Sequence, residues 1–92
     1  MEEIKKNLEK KYEDNIARGL SREEALSKAI EEERNNHEKE DFEKAVREFL
    51  KEKFPEILAE EDPFQAFVDS LYLEYELLLS KVKAIFSSMK KR

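Results

Sequence analysis

The chain predicts an all-α fold, a small four-helix bundle-like domain with a long C-terminal helix, and three observations lead there. Apolar residues recur at helical spacing through most of the sequence. One Gly and two Pro in 92 residues leave little material for strands joined by tight turns. Glu, Lys, Leu and Ala, all strong helix formers, make up much of the rest. A chain of this length is expected to form one domain, residues 1–92, with one modest core. Six Phe and three Tyr can supply that core, and they argue against a disordered chain although 45% of the residues are charged.

The first helix is expected over residues 2–18. Its apolar positions Ile4, Leu8, Tyr12 and Ile16 lie four apart, a narrow stripe that drifts around the helix, so this element should sit on the outside and be largely solvated. Gly19, the only Gly, falls where a helix end needs a left-handed residue. Ser21-Arg22-Glu23-Glu24 matches a capping box, in which the Ser side chain accepts from the Glu24 amide and the Glu24 side chain reaches back. A second helix should follow over 22–35, burying Ala25, Leu26, Ala29 and Ile30 and forming an αα-hairpin with the first. The stretch from Glu13 to Ala25 is similar to the helical hairpin that precedes the membrane part of some bacterial export permeases. The shared features are a capping box after a C-cap Gly, on which any helical hairpin can converge, and no family is assigned from them.

Glu31 to Asp41 holds no apolar side chain and eight charged ones. Helix 2 could run on through it as a solvated rod or break near Asn35-Asn36-His37; the apolar faces on either side are out of phase by roughly a third of a turn at 100° per residue, which favours the break. Asp41 is the expected cap of a third helix over 41–53, with Phe42, Ala45, Val46, Phe49 and Leu50 on its core face. Pro55 should end it near Lys53. Residues 55–61 read as a short helical turn with Ile57 and Leu58 beneath it. Asp62-Pro63-Phe64-Gln65 then combines an N-cap, a Pro at the position that tolerates one, and a capping-box Gln.

From Pro63 the sequence predicts one unbroken helix over 63–89, roughly 40 Å long at 1.5 Å per residue. Phe64, Val68, Leu71, Tyr75, Leu78, Val82, Ile85 and Met89 form one stripe, and Ala66, Ser70, Leu73, Leu77, Ser80 and Ala84 form a second about half a turn away. A helix that only covers a core needs one stripe. The other three helices are expected to pack around this one. The expected core is Phe42, Val46, Phe49, Leu50, Phe64, Val68, Leu71, Tyr75, Leu78 and Val82, closed at one end by Leu26 and Ile30.

Charge and composition narrow the function. The net charge is −5, with −6 on residues 1–61 and +1 on residues 62–92. Nucleic-acid binding needs a basic footprint, and only the tail Lys90-Lys91-Arg92 is basic. A helix-turn-helix reading with its turn at residues 17–21 is disfavoured because the would-be recognition helix carries Glu23, Glu24, Glu31, Glu32 and Glu33 against Arg22, Lys28 and Arg34, and phosphates would repel it. Without Cys there are no disulfides or thiolate metal sites, and with neither a leader-like start nor a long apolar run the expectation is a cytoplasmic protein with no membrane partner. Glu outnumbers Asp 19 to 4 and Lys outnumbers Arg 13 to 5, a bias that suits a heat-adapted, thermostable protein or a designed one.

No chemistry-bearing constellation emerges. His37 is the only His, and Glu33 with Glu40 or Asp41 would share its face only if that solvated stretch stayed helical. Arg34-Asn35-Asn36-His37 is too tightly spaced for the Arg-Asn…His element of helical nucleic-acid-cleaving domains. There is no phosphate-cradling Gly loop and no argued nucleophile–base pair. The expectation is therefore no enzyme, no catalytic residue, no metal, no cofactor and no small-molecule substrate.

The second stripe instead suggests a protein-interaction module. Its face comprises Ala66, Ser70, Leu73, Leu77, Ser80 and Ala84, with Tyr72 and Phe86 at the edge, and the expected partner is a second copy of the chain, a homodimer, or another helical protein. Two other readings compete. An acidic chain displaying Glu31 to Glu33 and Glu38 to Asp41 could mimic nucleic acid and inhibit a basic binding protein. The capping boxes and composition also fit an engineered, de novo or redesigned, scaffold or binder.

Overall fold

In a computed structural model, residues 2–55 and 63–90 are described, with the backbone alone at 63, 64, 66 and 88–90. Five helices are present among them: α1 (Glu2–Ala17), α2 (Arg22–Glu33), α3 (Lys39–Lys53), α4 (Pro63–Ser70) and α5 (Tyr75–Lys90). The all-α class and the αα-hairpin stand as read from the sequence. The expected turn over 55–61 and the Asp62 cap lie outside the described residues, apart from Pro55.

The α1–α2 connection is specified locally. Gly19 has φ +97°, the left-handed conformation that other residues resist. Its N–H bonds the Ile16 carbonyl at 2.9 Å and the Leu20 N–H bonds the Asn15 carbonyl at 3.2 Å, the paired bonds of a Schellman motif. Ser21 Oγ accepts from the Glu24 amide at 3.1 Å, and Glu24 Oε1 accepts from the Ser21 amide at 3.4 Å. The predicted capping box is complete.

The break between α2 and α3 also occurs, spanning residues 34–38. Asp41, however, does not cap α3. The helix begins earlier, at Lys39, with Glu38 in the cap position and no side-chain bond to the first turn, which leaves Asp41 within that turn, where its charge favours the helix N-terminus. Phe54 follows the last turn of α3 as its cap residue and turns into the core, 6% exposed.

The expected long helix is divided. Residues 71–74 are non-helical and separate α4 from α5, although they contain neither Gly nor Pro. Local sequence does not cause this break, and a tertiary contact stabilises it. The Arg34 guanidinium donates from Nη1 to the carbonyls of Leu71 at 3.0 Å and Leu73 at 2.6 Å. In an unbroken helix those carbonyls would accept from Tyr75 and Leu77. Ser70 Oγ donates to the Phe67 carbonyl at 2.7 Å and helps close α4. The Glu74 carbonyl accepts from Leu78 at 2.9 Å and opens α5. Gln65 donates to Asp69 Oδ1 at 3.4 Å, and the capping box expected between Asp62 and Gln65 lies outside the described residues.

The break changes which helix is central. α2 packs against α1 on one side and α5 on the other, while α3 lies on α1 and α4 on α5. Ala25, Ser27 and Ala29 are buried together with Leu26 and Ile30, and these small residues let two neighbours approach α2 closely. The α2–α5 pair is antiparallel. Arg22, at the start of α2, lies 4.7 Å from the ring of Phe86 near the end of α5, and Lys28 lies 4.8 Å from the ring of Tyr75 at its start.

Nine of the twelve expected core residues are buried: Phe42, Val46, Phe49, Leu50, Leu71, Leu78, Val82, Leu26 and Ile30. Val68 and Tyr75 are half-buried, and the Phe64 side chain lies outside the described residues. The first helix is less peripheral than its stripe suggested, since Ile4, Leu8 and Tyr12 are buried and Ile16 alone of that stripe is exposed. Edge-to-face contacts link Phe49 to Tyr12, Tyr12 to Phe54 and Phe54 to Phe86, with centroids 5.0–6.0 Å apart. This aromatic chain joins α3, α1 and α5.

Two stability changes follow. Gly19→Ala should lower unfolding free energy by about 1–2 kcal/mol through left-handed strain alone, because a Cβ there meets nothing within 4 Å. Ser27 Oγ is the buried side-chain polar atom without a hydrogen-bond partner among the described residues, so Ser27→Ala should raise stability by about 1 kcal/mol. Urea unfolding followed by circular dichroism measures both.

Candidate interaction face

Of the eight residues expected to form one face, Leu77, Ser80 and Ala84 share one, and Ser70 and Phe86 are buried instead. Phe86 is fully buried against Phe54 and beneath Arg22, so it is core, not an edge of an interface. Ser70 is 1% exposed with its hydroxyl bonded to backbone. The physical reason is the break at 71–74, since the phase of one continuous helix no longer relates residues of α4 to those of α5. Leu73 is half-buried in the turn, and its carbonyl is held by Arg34. Tyr72 is 37% exposed, edge-on to Phe42 with centroids 6.2 Å apart and with the Lys39 ammonium 5.5 Å from its ring. The side chain of Ala66 lies outside the described residues.

What remains of the second stripe is the outer face of α5. Leu77, Ser80 and Ala84 are all exposed, and their spacing of three and four puts them on one line along the helix, opposite buried Leu78, Val82 and Phe86. Leu77 is 51% exposed, more than Ile16 or Tyr72, the other exposed large hydrophobic residues among those described. Acidic Glu74 and Glu76 flank the start of this face and basic Lys81 and Lys83 its middle.

A polar cluster sits elsewhere, where α1 meets the end of α2. Glu33 is buried to 4% exposure. His37 Nε2 donates to its Oε1 at 2.9 Å, Asn7 Nδ2 reaches the same oxygen at 3.4 Å, and Lys11 Nζ lies 3.4 Å from Oε2. Burial pushes the Glu33 pKa up, but the His37 bond and the Lys11 charge outweigh it and hold the carboxyl below its ordinary value. The His37 ring stacks on Phe42, nearly parallel at 6.2 Å. Among the described residues no three His, Asp or Glu side chains are grouped to hold a metal ion. Glu33 is also withdrawn from the acidic surface that a nucleic-acid mimic would use, whereas Glu38, Glu40 and Asp41 remain exposed.

Two shallow depressions lie on the surface formed by the described residues. One, of about 440 Å³, is mainly apolar and is lined by Tyr12, Ile16, Ala17 and Arg22 with Glu13 at its rim. The other, of about 300 Å³, lies over Asn7, Lys10, Lys11, Asp14 and Glu33, where the Lys11–Glu33 contact already pairs opposite charges. No described helix is long and apolar enough to cross a membrane.

No protein-family model matches the chain, and no curated protein or solved structure is significantly similar to it.

The Glu33 cluster sets a pH dependence. A carboxyl with a folded pKa below its unfolded one contributes stability that is present above the ordinary carboxylate range and is lost as pH falls through the folded value. The urea midpoint should drop as the pH is lowered below the ordinary carboxylate range. Glu33→Gln should lose about 1–3 kcal/mol at neutral pH and show a shallower acid decline than the parent. A parallel pH series on both proteins measures the difference.

Proposed function

We propose that this domain is a non-enzymatic protein-interaction module that self-associates through the outer face of α5. The observation that carries the reading is Leu77, a large aliphatic residue half in water beside exposed Ser80 and Ala84. Small residues allow close approach of a second helix, and Leu77 can then fill the space they leave.

A second copy is the partner that the charge pattern favours. Symmetric dimers use the same patch twice about a two-fold axis. An antiparallel crossing of two α5 helices centred near Ser80 sets Leu77 of one copy opposite Ala84 of the other. It also brings the acidic start of each helix, Glu74 and Glu76, toward Lys83 of its partner. A parallel crossing would place like charges together. One helix face is smaller than a standard interface, so the dimer should be weak and concentration-dependent.

Light scattering across a concentration series tests this. The parent mass should rise from monomer toward dimer, and Leu77→Glu should stay monomeric at every concentration with an unchanged helical spectrum. A folded Leu77→Glu protein whose mass rises as the parent's does would overturn the proposal, as would a parent that stays monomeric throughout.

A further inference from the structure

We infer that the α4–α5 turn is a hinge held bent by Arg34, and that two copies of the chain can exchange α5 by straightening it. This inference is independent of the Leu77 face. It concerns the buried side of α5 and a second copy as the acceptor of that side.

The turn has the composition of a helix interior. Residues 71–74 are Leu-Tyr-Leu-Glu, and nothing from 64 to 90 is Gly or Pro. Both helical stripes run through the turn without a change of phase. Bending therefore forgoes backbone bonds that the sequence is able to make. Helix ends leave N–H and carbonyl groups unpaired, and the bend creates two such ends. Two of the carbonyls at the turn are compensated from outside the segment, by Arg34 at 3.0 and 2.6 Å.

The bend is favoured within one copy because α5 must fold back to bury Leu78, Val82 and Phe86 on α2. A straight segment cannot bury them on its own α2. It can bury them on the α2 of a second copy, whose own α5 has left in the same way. The exchanged dimer would then keep the buried α2–α5 contacts and the Arg22–Phe86 and Lys28–Tyr75 stacking. It would also restore the helical bonds across 71–74. What it gives up is the pair of Arg34 bonds in each copy, the packing of hinge residues Leu71 and Tyr72 in the bent form, and the freedom of two separate molecules. Arg34 thus acts as the latch on the closed monomer.

Two substitutions act on the equilibrium in opposite directions. Arg34→Met removes the guanidinium and keeps an apolar stem, so it should raise the dimerisation constant by at least about tenfold. Glu74→Gly weakens a continuous helix at that position while Gly is accepted at the cap position Glu74 occupies in the bent form. It should lower the constant about threefold per hinge, roughly tenfold for two hinges.

The chain has no Cys, so single cysteines report pairing cleanly. Lys28→Cys and Tyr75→Cys proteins, each made separately, are unfolded together in urea, refolded at high concentration and treated with a short bismaleimide. Exchange places position 28 of one chain beside position 75 of the other and should give a covalent heterodimer. Its yield should increase with Arg34→Met in both chains, decrease with Glu74→Gly, and be unaffected by Leu77→Glu. A crossing of two outer α5 faces leaves each Lys28 beside its own Tyr75 and gives no heterodimer, so this arm and the Leu77 arm fail separately. Absence of the heterodimer under these conditions overturns the inference. If Arg34→Met does not fold, the comparison of the parent with Glu74→Gly decides, and equal heterodimer yields in those two overturn it as well.

Discussion

Two hydrogen bonds from the Arg34 side chain tie the end of α2 to carbonyls 37 and 39 residues further along the chain. They are charge-assisted and part-buried, the class of hydrogen bond that contributes most. Much of the architecture depends on this contact. With residues 71–74 bent, α5 runs back antiparallel to α2, Leu78, Val82 and Phe86 reach the core, and Phe86 meets Phe54. Were the segment straight within one copy, α2 would lose one of its two neighbours and the aromatic chain would lose its last member.

At the α1–α2 turn, where structure is written in neighbouring residues, the sequence reading and the fold agree, whereas the local cap expected at Asp41 does not form. Gly19 and the Ser21–Glu24 box act within a single turn of chain, and both motifs form as expected. The break around Asn35-Asn36-His37 was legible because the apolar phase changes across it. Residues 71–74 are the opposite case. They carry helix-forming residues in unbroken phase, and the contact that stabilises their bend comes from an arginine distant in sequence. Propensity and periodicity describe a segment alone, and a bend stabilised by a remote donor leaves no trace in either.

The exposed face of α5 was legible only in part for the same reason. Leu77, Ser80 and Ala84 belong to one helix, so their shared exposure follows from spacing. Ser70 and Phe86 were grouped with them on the assumption of one helix, and both are buried. Phe54 stood outside any helical stripe, and its size beside Pro55 was the available sign that it would be covered. Asn15 gave no sign at all. It is 4% exposed and donates to the Ala25 carbonyl at 3.2 Å, a polar bond inside the α1–α2 hairpin. Glu33 was paired with His37 by helical spacing, but its burial was not legible, because it also depends on Asn7 and Lys11 arriving from α1.

The locally coded α1–α2 hairpin has a kinetic consequence. Its Schellman motif, capping box and Asn15–Ala25 bond all join residues close in sequence, and short-range contacts form fastest because little loop entropy is lost in closing them. α5 must instead find α2 across the whole of α3 and α4. Until α5 docks, the groove of α2 that it fills is bare to solvent. The order of assembly, and not the final stability alone, decides how long that groove stays open to solvent.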